Sequence, residues 1–253
     1  MNEIRREGYR FIQDFRVRCY ETDASVYLKP ASFMDMAQEI AYWAAHLLGF
    51  GYDDLHVHHT AWVLSRMHIH FADPPKWRDE VSLYTWHKGA SGLFFLRDFF
   101  LGSPAGEKLV TCTSSWVVIN EQTRRLVRPE ELENLLRNQE KVEDAIAEEA
   151  PKVVMPRGAE PEPAGEHTVA YSDVDILGHT NNARYMVWAM DCLDYETAST
   201  RRVKDVYINF NKETTPGTRV DLFRLRADED GAPVWYVEGR VDGKSAFCVK
   251  MVF

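Results

Sequence analysis

Residues 31–49, ASFMDMAQEIAYWAAHLLG, constrain the fold of this chain more than any other stretch. Phe33, Met36, Ala37, Ile40, Ala41, Ala44, Leu47 and Leu48 recur at helical spacing after Pro30, and Gly49 supplies a stop signal. Tyr42 and Trp43 add apolar surface elsewhere on the circumference. A helix with so little polar face must be wrapped by other structure on most sides. The wrapping follows in the sequence. Segments 61–71, 80–87, 94–101 and 109–120 read as strands, divided by Asp73-Pro74-Pro75, Gly89-Ala90-Ser91-Gly92 and Gly102-Ser103-Pro104-Ala105-Gly106, and 9–19 reads as an earlier strand. The expectation is an α+β fold, one long helix wrapped by an antiparallel sheet.

After residue 129 the character changes. Residues 130–150 form a charged helical pattern, and 151–166 are rich in proline and acid, so a surface helix and a linker are expected. Beyond them the order repeats: a strand at 167–171, a helix at 182–194, and strands at 205–210, 218–227, 234–241 and 245–252. MHIHFADPPKWRDEVSLY (67–84) lies over VYINFNKETTPGTRVDLF (206–223) without gaps when Phe71 is set on Phe210. In that overlay Glu213 falls on Pro74, and residues 21–29 hold no counterpart of His179-Thr180-Asn181-Asn182. Chemistry is therefore expected in the second repeat alone. The division expected is 1–129, a linking region 130–165, and 166–253.

Composition excludes several classes. With 253 residues, 45% of them hydrophobic, the chain can bury a sizeable core. A formal net charge of −9 argues against a nucleic-acid partner, and an acidic partner would need a local basic patch. The first residues carry no apolar run long enough for a signal peptide or a membrane span, so no membrane association and a cytoplasmic location are expected. Cys19, Cys112, Cys192 and Cys248 lie far apart and read as free thiols, mostly buried. His56, His58 and His59 cluster after an acidic run but lack partners at zinc-like spacing, and no metal or cofactor is expected. His68 and His70 share one face of a strand and read as structural or surface residues. No Gly-x-Ser-x-Gly elbow occurs.

Residues 171–194, beginning YSDVDILGHTNN, bring two polar side chains to a helix start. The amides of a first helical turn lack intrahelical partners and favour negative charge, so a carbonyl placed there is polarised with Asp175 and His179 beside it. The plainer reading is that Asn181 and Asn182 cap the helix and the acids complement its dipole.

Four segments together resemble the acyl-ACP thioesterases of bacteria and plants: CYETDASVYLKPASFMDMAQE, TAWVLSRMHIHFADPPKWRDEVSLYTW, SSWVVINEQTRRLVRPEEL and SDVDILGHTNNARYMVW. The resemblance implies a double hot-dog fold and hydrolysis of the thioester of fatty acyl-acyl carrier protein. It implies Asp175, His179 and Glu213 as catalytic residues; the helix-start amides at Thr180, Asn181 and Asn182 are expected to receive the oxyanion. The first half would shape an acyl pocket from Met34, Met36, Ile40, Trp43, Ala44, Leu47 and Leu64, for which core packing is the plain alternative. Acidic acyl carrier protein (ACP) would dock on Arg124, Arg125, Arg128, Arg184, Arg201, Arg202 and Lys204. Two positions depart from the family pattern: Leu177 stands where asparagine is usual, and Thr214 where plant members carry cysteine. Whether Glu213 is a base or a nucleophile stays open, as does a monomer or a homodimer. The competing readings are an acyl-CoA thioesterase on the same fold, a non-hydrolytic acyl-binding protein, and a hot-dog dehydratase, for which only one half is equipped.

Overall fold

The computed structural model describes residues 4–128 and 143–253. Its organising element is the expected helix, α1 (Pro30–Leu47). Pro30 opens it, and it stops where Gly49, at φ +78°, lets the Gly49 amide reach the His46 carbonyl and the Phe50 amide the Ala45 carbonyl. Around it run β1 (Arg5–Glu7), β2 (Arg10–Arg16), β3 (Thr60–Phe71), β4 (Glu80–Ser91), β5 (Phe94–Gly102), β6 (Lys108–Asn120) and the short β7 (Leu126–Val127). The second set comprises β8 (Glu162–Thr168), α3 (Asn182–Asp191), β9 (Asp205–Phe210), β10 (Arg219–Glu229), β11 (Ala232–Val241) and β12 (Lys244–Val252).

The strands form one antiparallel sheet in the order β1-β2-β4-β5-β6-β3-β9-β12-β11-β10-β8, with β7 beside β6. The two repeats meet where β3 pairs with β9. At the centre of that pairing His68 stands opposite Tyr207, their rings stacked with centroids 4.1 Å apart. These two residues are equivalent in the overlay that sets Phe71 on Phe210, so the duplicated sequence folds about a pseudo-two-fold axis through this pair. His68 and His70 are not bare surface residues: both contact Asp205 Oδ1 at 2.9 Å across the same seam.

Both helices lie in the embrace of the sheet, and a single core cluster joins Phe33, Ile40 and Met67 of the first repeat to Met186, Val206 and Phe247 of the second. Packing against α3 is close. Phe247 lies against Tyr185 and Trp188, with its ring so near Gly239 that a Cβ there would fall 2.1 Å from it. Gly239→Ala is therefore expected to cost about 1–3 kcal/mol by overpacking, measured as a lower urea midpoint; an unchanged midpoint would mean that β11 yields.

Several expectations need correction. The charged helix expected over 130–150 lies mostly outside the described residues, and its described part, 143–150, is not helical. The linker is not a free one. Ala145 N donates to Asp98 Oδ2 (2.8 Å), Lys88 Nζ to the Ile146 carbonyl (2.6 Å) and Val153 N to Asn209 Oδ1 (2.7 Å), so the segment is pinned along the sheet. Strand β8 begins inside the proline-rich stretch, and residues 171–173 form a 3-10 turn rather than strand. The structure adds two short helices, α2 (Tyr52–His56) and α4 (Tyr195–Thr200); the Asp194 carboxylate caps α4 through the Thr197 amide. Among the described residues no helix is long and apolar enough to cross a membrane.

Candidate active site

The turn that leads into α3 is anchored by Asp173, whose side chain is 1% exposed. Its carboxylate accepts from the Ala170 amide (2.8 Å), His167 Nε2 (2.8 Å) and Arg184 Nε (3.3 Å), and its carbonyl accepts from the Asn181 amide (2.8 Å). Burial alone would raise the Asp173 carboxyl, but the Ala170 amide, His167 and Arg184 outweigh it and hold the group below the usual carboxylate range. Asp175 closes the next turn: its Oδ1 accepts from the Leu177 amide (2.9 Å), and its own amide donates to the His179 carbonyl (2.9 Å). Gly178, at φ +76°, takes the backbone conformation that this tight return requires.

Beneath the turn lies a buried hydroxyl cluster. Thr214 Oγ1 is 2.7 Å from Thr180 Oγ1 and 2.9 Å from Tyr185 Oη, while Thr180 N donates to the Thr214 carbonyl at 2.9 Å. Burial pushes the Tyr185 hydroxyl up, so it stays protonated. This cluster ties the residue after His179 to the residue after Glu213, and thereby brings those two side chains together. His179 Nε2 lies 3.8 Å from Glu213 Oε2, and both side chains are partly open to solvent. Glu213 Oε1 accepts a 2.5 Å hydrogen bond from Arg124 Nη2, a residue of the turn between β6 and β7.

Of the predicted residues, His179 and Glu213 therefore meet, whereas the Asp175 carboxylate is bound to its own turn. The oxyanion donors expected at Thr180 and Asn181 are already spent, the first on Thr214 and the second on Asp173. The Asn181 side chain caps α3 through the Ala183 amide and also donates to Gln38 Oε1 of α1 at 3.1 Å. Asn182 is placed differently. It borders a narrow apolar cavity of about 10 Å³, lined with it by Met34, Ala37, Gln38, Leu64, Met67, Phe99 and Trp116. Outside, Glu213 borders an open hollow of about 400 Å³ that includes Lys212, Thr218 and Arg219.

The expected acyl wall divides. Met34 and Leu64 line the cavity; Met36 and Ile40 are buried in the core beside it, and Ala44 is buried without lining it. Trp43 turns its indole N–H to Glu39, and Leu47 is 56% exposed, so neither forms a wall. Met67, Phe99 and Trp116 take those places. They sit on strands, where alternation marks an inward face but not which inward residues border a gap. The docking cations divide too. Arg124 reaches Glu213, Arg125 and Arg128 are exposed on the same segment, and Arg184 is engaged by Asp173. Arg201, Arg202 and Lys204 precede β9, at its opposite end from Glu213, and Arg202 packs over Tyr27. Cys192 is buried at the end of α3, and burial pushes its thiol up to about 11, unlike a thiolate nucleophile.

Comparison with known proteins bears on the same regions. A family model described as the acyl-ACP thioesterase N-terminal domain matches residues 8–135, and one described as the acyl-ACP thioesterase C-terminal domain matches 160–249. Oleoyl-acyl carrier protein thioesterase 1, chloroplastic, of Arabidopsis thaliana is 25% identical over 258 residues, spanning 91% of this chain and 68% of that one. The palmitoyl-acyl carrier protein thioesterase of Gossypium hirsutum is 28% identical over 84% of this chain and 54% of its own length. In structure, an acyl-ACP thioesterase from Bacteroides thetaiotaomicron superposes with a TM-score of 0.83 at 23% identity, over 97% of this chain and 98% of that one. The 12:0-ACP thioesterase from Umbellularia californica gives 0.81 at 21% identity, over 97% and 94%. These structural likenesses bear on the fold alone.

Proposed function

This chain belongs to the acyl-ACP thioesterase family, and from that premise we propose how it hydrolyses a fatty acyl-ACP thioester to free fatty acid and ACP. The observation that carries the reading is the 3.8 Å approach of His179 and Glu213 near the start of α3, whose Asn182 borders the apolar cavity. Two groups at that separation can both hold one water within hydrogen-bond reach. Glu213 takes a proton from the water, the water's oxygen attacks the acyl carbon, the C–S bond breaks, and the proton held by Glu213 passes to the departing thiolate of the carrier's arm. His179 orients the water. Asp175 acts through the turn it closes. The oxyanion falls to Asn182, at the first helical position and bordering the cavity, since its neighbours' amides are spent.

Leu177 takes part through its backbone: its amide fixes Asp175, and its side chain is exposed. Thr214, in place of a cysteine, fastens the strand end to the turn. In this reading residues 1–129 supply the acyl pocket, 130–165 the connection, and 166–253 the catalytic groups. The protein is cytoplasmic, and monomeric or homodimeric.

An acyl chain does not fit the cavity as it stands, because ligand pockets run to about 300–1,000 Å³. Met34 and Met67, unbranched and adaptable, are the side chains that give way. Met67→Ala is expected to shift the preferred acyl chain to greater length; an unchanged profile would remove β3 from the pocket wall. The reading as a whole is tested by fatty-acid release from acyl-ACPs of increasing length, with matched acyl-CoAs alongside. Release from ACP is expected. Release chiefly from CoA would move the carrier assignment, and binding without release would make the protein an acyl binder.

A further inference from the structure

We propose that Arg124 is a positioning residue for this hydrolysis, reaching from the first repeat to hold Glu213 of the second with one carboxylate oxygen turned towards His179. The inference rests on the thioesterase reading and deepens it. Arg124 and Glu213 are 89 residues apart, yet Nη2 meets Oε1 at 2.5 Å while Oε2 is the oxygen facing His179 Nε2 at 3.8 Å. A carboxylate pinned at one oxygen cannot turn freely about its last torsion, so the other oxygen stays aimed at the place where water must be deprotonated.

The backbone supplies a second, independent observation. The turn is built by Asn120, whose Oδ1 accepts from the Thr123 amide (2.8 Å) and hydroxyl (3.0 Å), and whose carbonyl accepts from the Arg124 amide (2.8 Å). That geometry puts Arg124 at φ +57°, in the left-handed region. Glycine or asparagine sits there more easily, and another side chain costs about 1–2 kcal/mol. Among the described residues six other than glycine have positive φ, and Arg124 is the one whose side chain reaches a candidate catalytic group. The left-handed backbone at Arg124 aims its guanidinium at Glu213.

Folding does not explain it. Both partners are partly exposed, and an ion pair of that kind contributes about 0–1 kcal/mol. Stability and activity should therefore separate on substitution. The position also gives the second repeat's chemistry a dependence on the first repeat that the acyl pocket alone does not.

The test uses the full chain with acyl-ACP, comparing wild type, Arg124→Gly and Arg124→Lys. In Arg124→Gly the backbone strain is relieved, so its melting temperature should equal or exceed that of wild type. Its kcat should fall about tenfold, with KM within about twofold. Millimolar guanidinium should restore part of that kcat to Arg124→Gly and leave wild type unchanged, whereas methylammonium should not. Arg124→Lys should keep an intermediate kcat. An unchanged kcat in Arg124→Gly overturns the proposal. So does a raised KM at intact kcat, which would make Arg124 a carrier-docking contact, and so does a lowered melting temperature without guanidinium rescue, which would make it structural. An inactive wild type would instead defeat the thioesterase reading, and this inference with it; failure confined to the variants leaves that reading standing.

Discussion

Glu213→Gln is expected to lower kcat on acyl-ACP by about 10³-fold, within the 10²–10⁴ range of general-base catalysis, while KM changes little. The amide preserves the shape of the side chain and its contact with Arg124 through Oε1, but removes the group that accepts the water's proton. KM should hold because the proposed acyl pocket, at Met34, Leu64 and Met67, does not include Glu213. His179→Ala should cost a comparable factor. The double variant should be scarcely slower than the slower single one, since the two side chains serve one water. Steady-state kinetics on the four proteins decides this. Strict additivity in log kcat would mean that His179 and Glu213 act on different steps.

The second large effect is on stability. Asp173→Ala should destabilise the protein by about 3 kcal/mol, because the buried carboxylate has a charged donor in Arg184, an imidazole partner in His167 and a backbone donor in Ala170. For a chain of this size that is a fall in melting temperature of roughly 6–12 °C. The pH dependence has a definite sign. Because the native carboxyl lies below its unfolded value of about 3.9, its stabilising contribution is complete above about pH 4 and is lost as pH falls through the native pKa. Wild type and Asp173→Ala should differ most near pH 7 and converge in acid. A gap of constant size as pH falls through and well below 4 would show that Asp173 acts through packing rather than through its charge.

Much of this architecture is legible in the sequence because each element carries its own period. The apolar stripe of α1 announces both a helix and its wrapping, and β9 has the bounds its alternation suggests. The gapless overlay of Phe71 on Phe210 contains the pseudo-two-fold, since His68 and Tyr207, equivalent in sequence, face each other in the sheet. Strand β8 is hidden by composition: Pro163 and Gly165 read as linker. Proline is tolerated in it because it is the last strand of the sheet and because its pairing with β10 shifts register at Leu222/Phe223. Helices α2 and α4 are too short to show a period.

The site is legible in part. His179 and Glu213 stand out by type and by the repeat's asymmetry, but three other features depend on contacts between distant segments. Asp173 differs from Asp175 only in being buried. Thr214 is a neutral residue until Thr180 and Tyr185 are brought to its hydroxyl. Arg124 reads in the sequence as one of several carrier-docking cations, and only folding sets it on Glu213. The amides of Thr180 and Asn181 look available at a helix start, and only the structure shows that Thr214 and Asp173 already hold them.

In the proposed hydrolysis a water held by Glu213 and His179 attacks the acyl carbon itself. The most direct test of this step is a single turnover of acyl-ACP in oxygen-18 water, with mass analysis of both the fatty acid and the peptide that contains Glu213. One oxygen-18 atom is expected in the first equivalent of fatty acid and none in Glu213. Unlabelled acid with oxygen-18 retained in Glu213 would contradict it, because the carboxylate would then have attacked the thioester and water would have opened the resulting anhydride at the enzyme's own carbonyl.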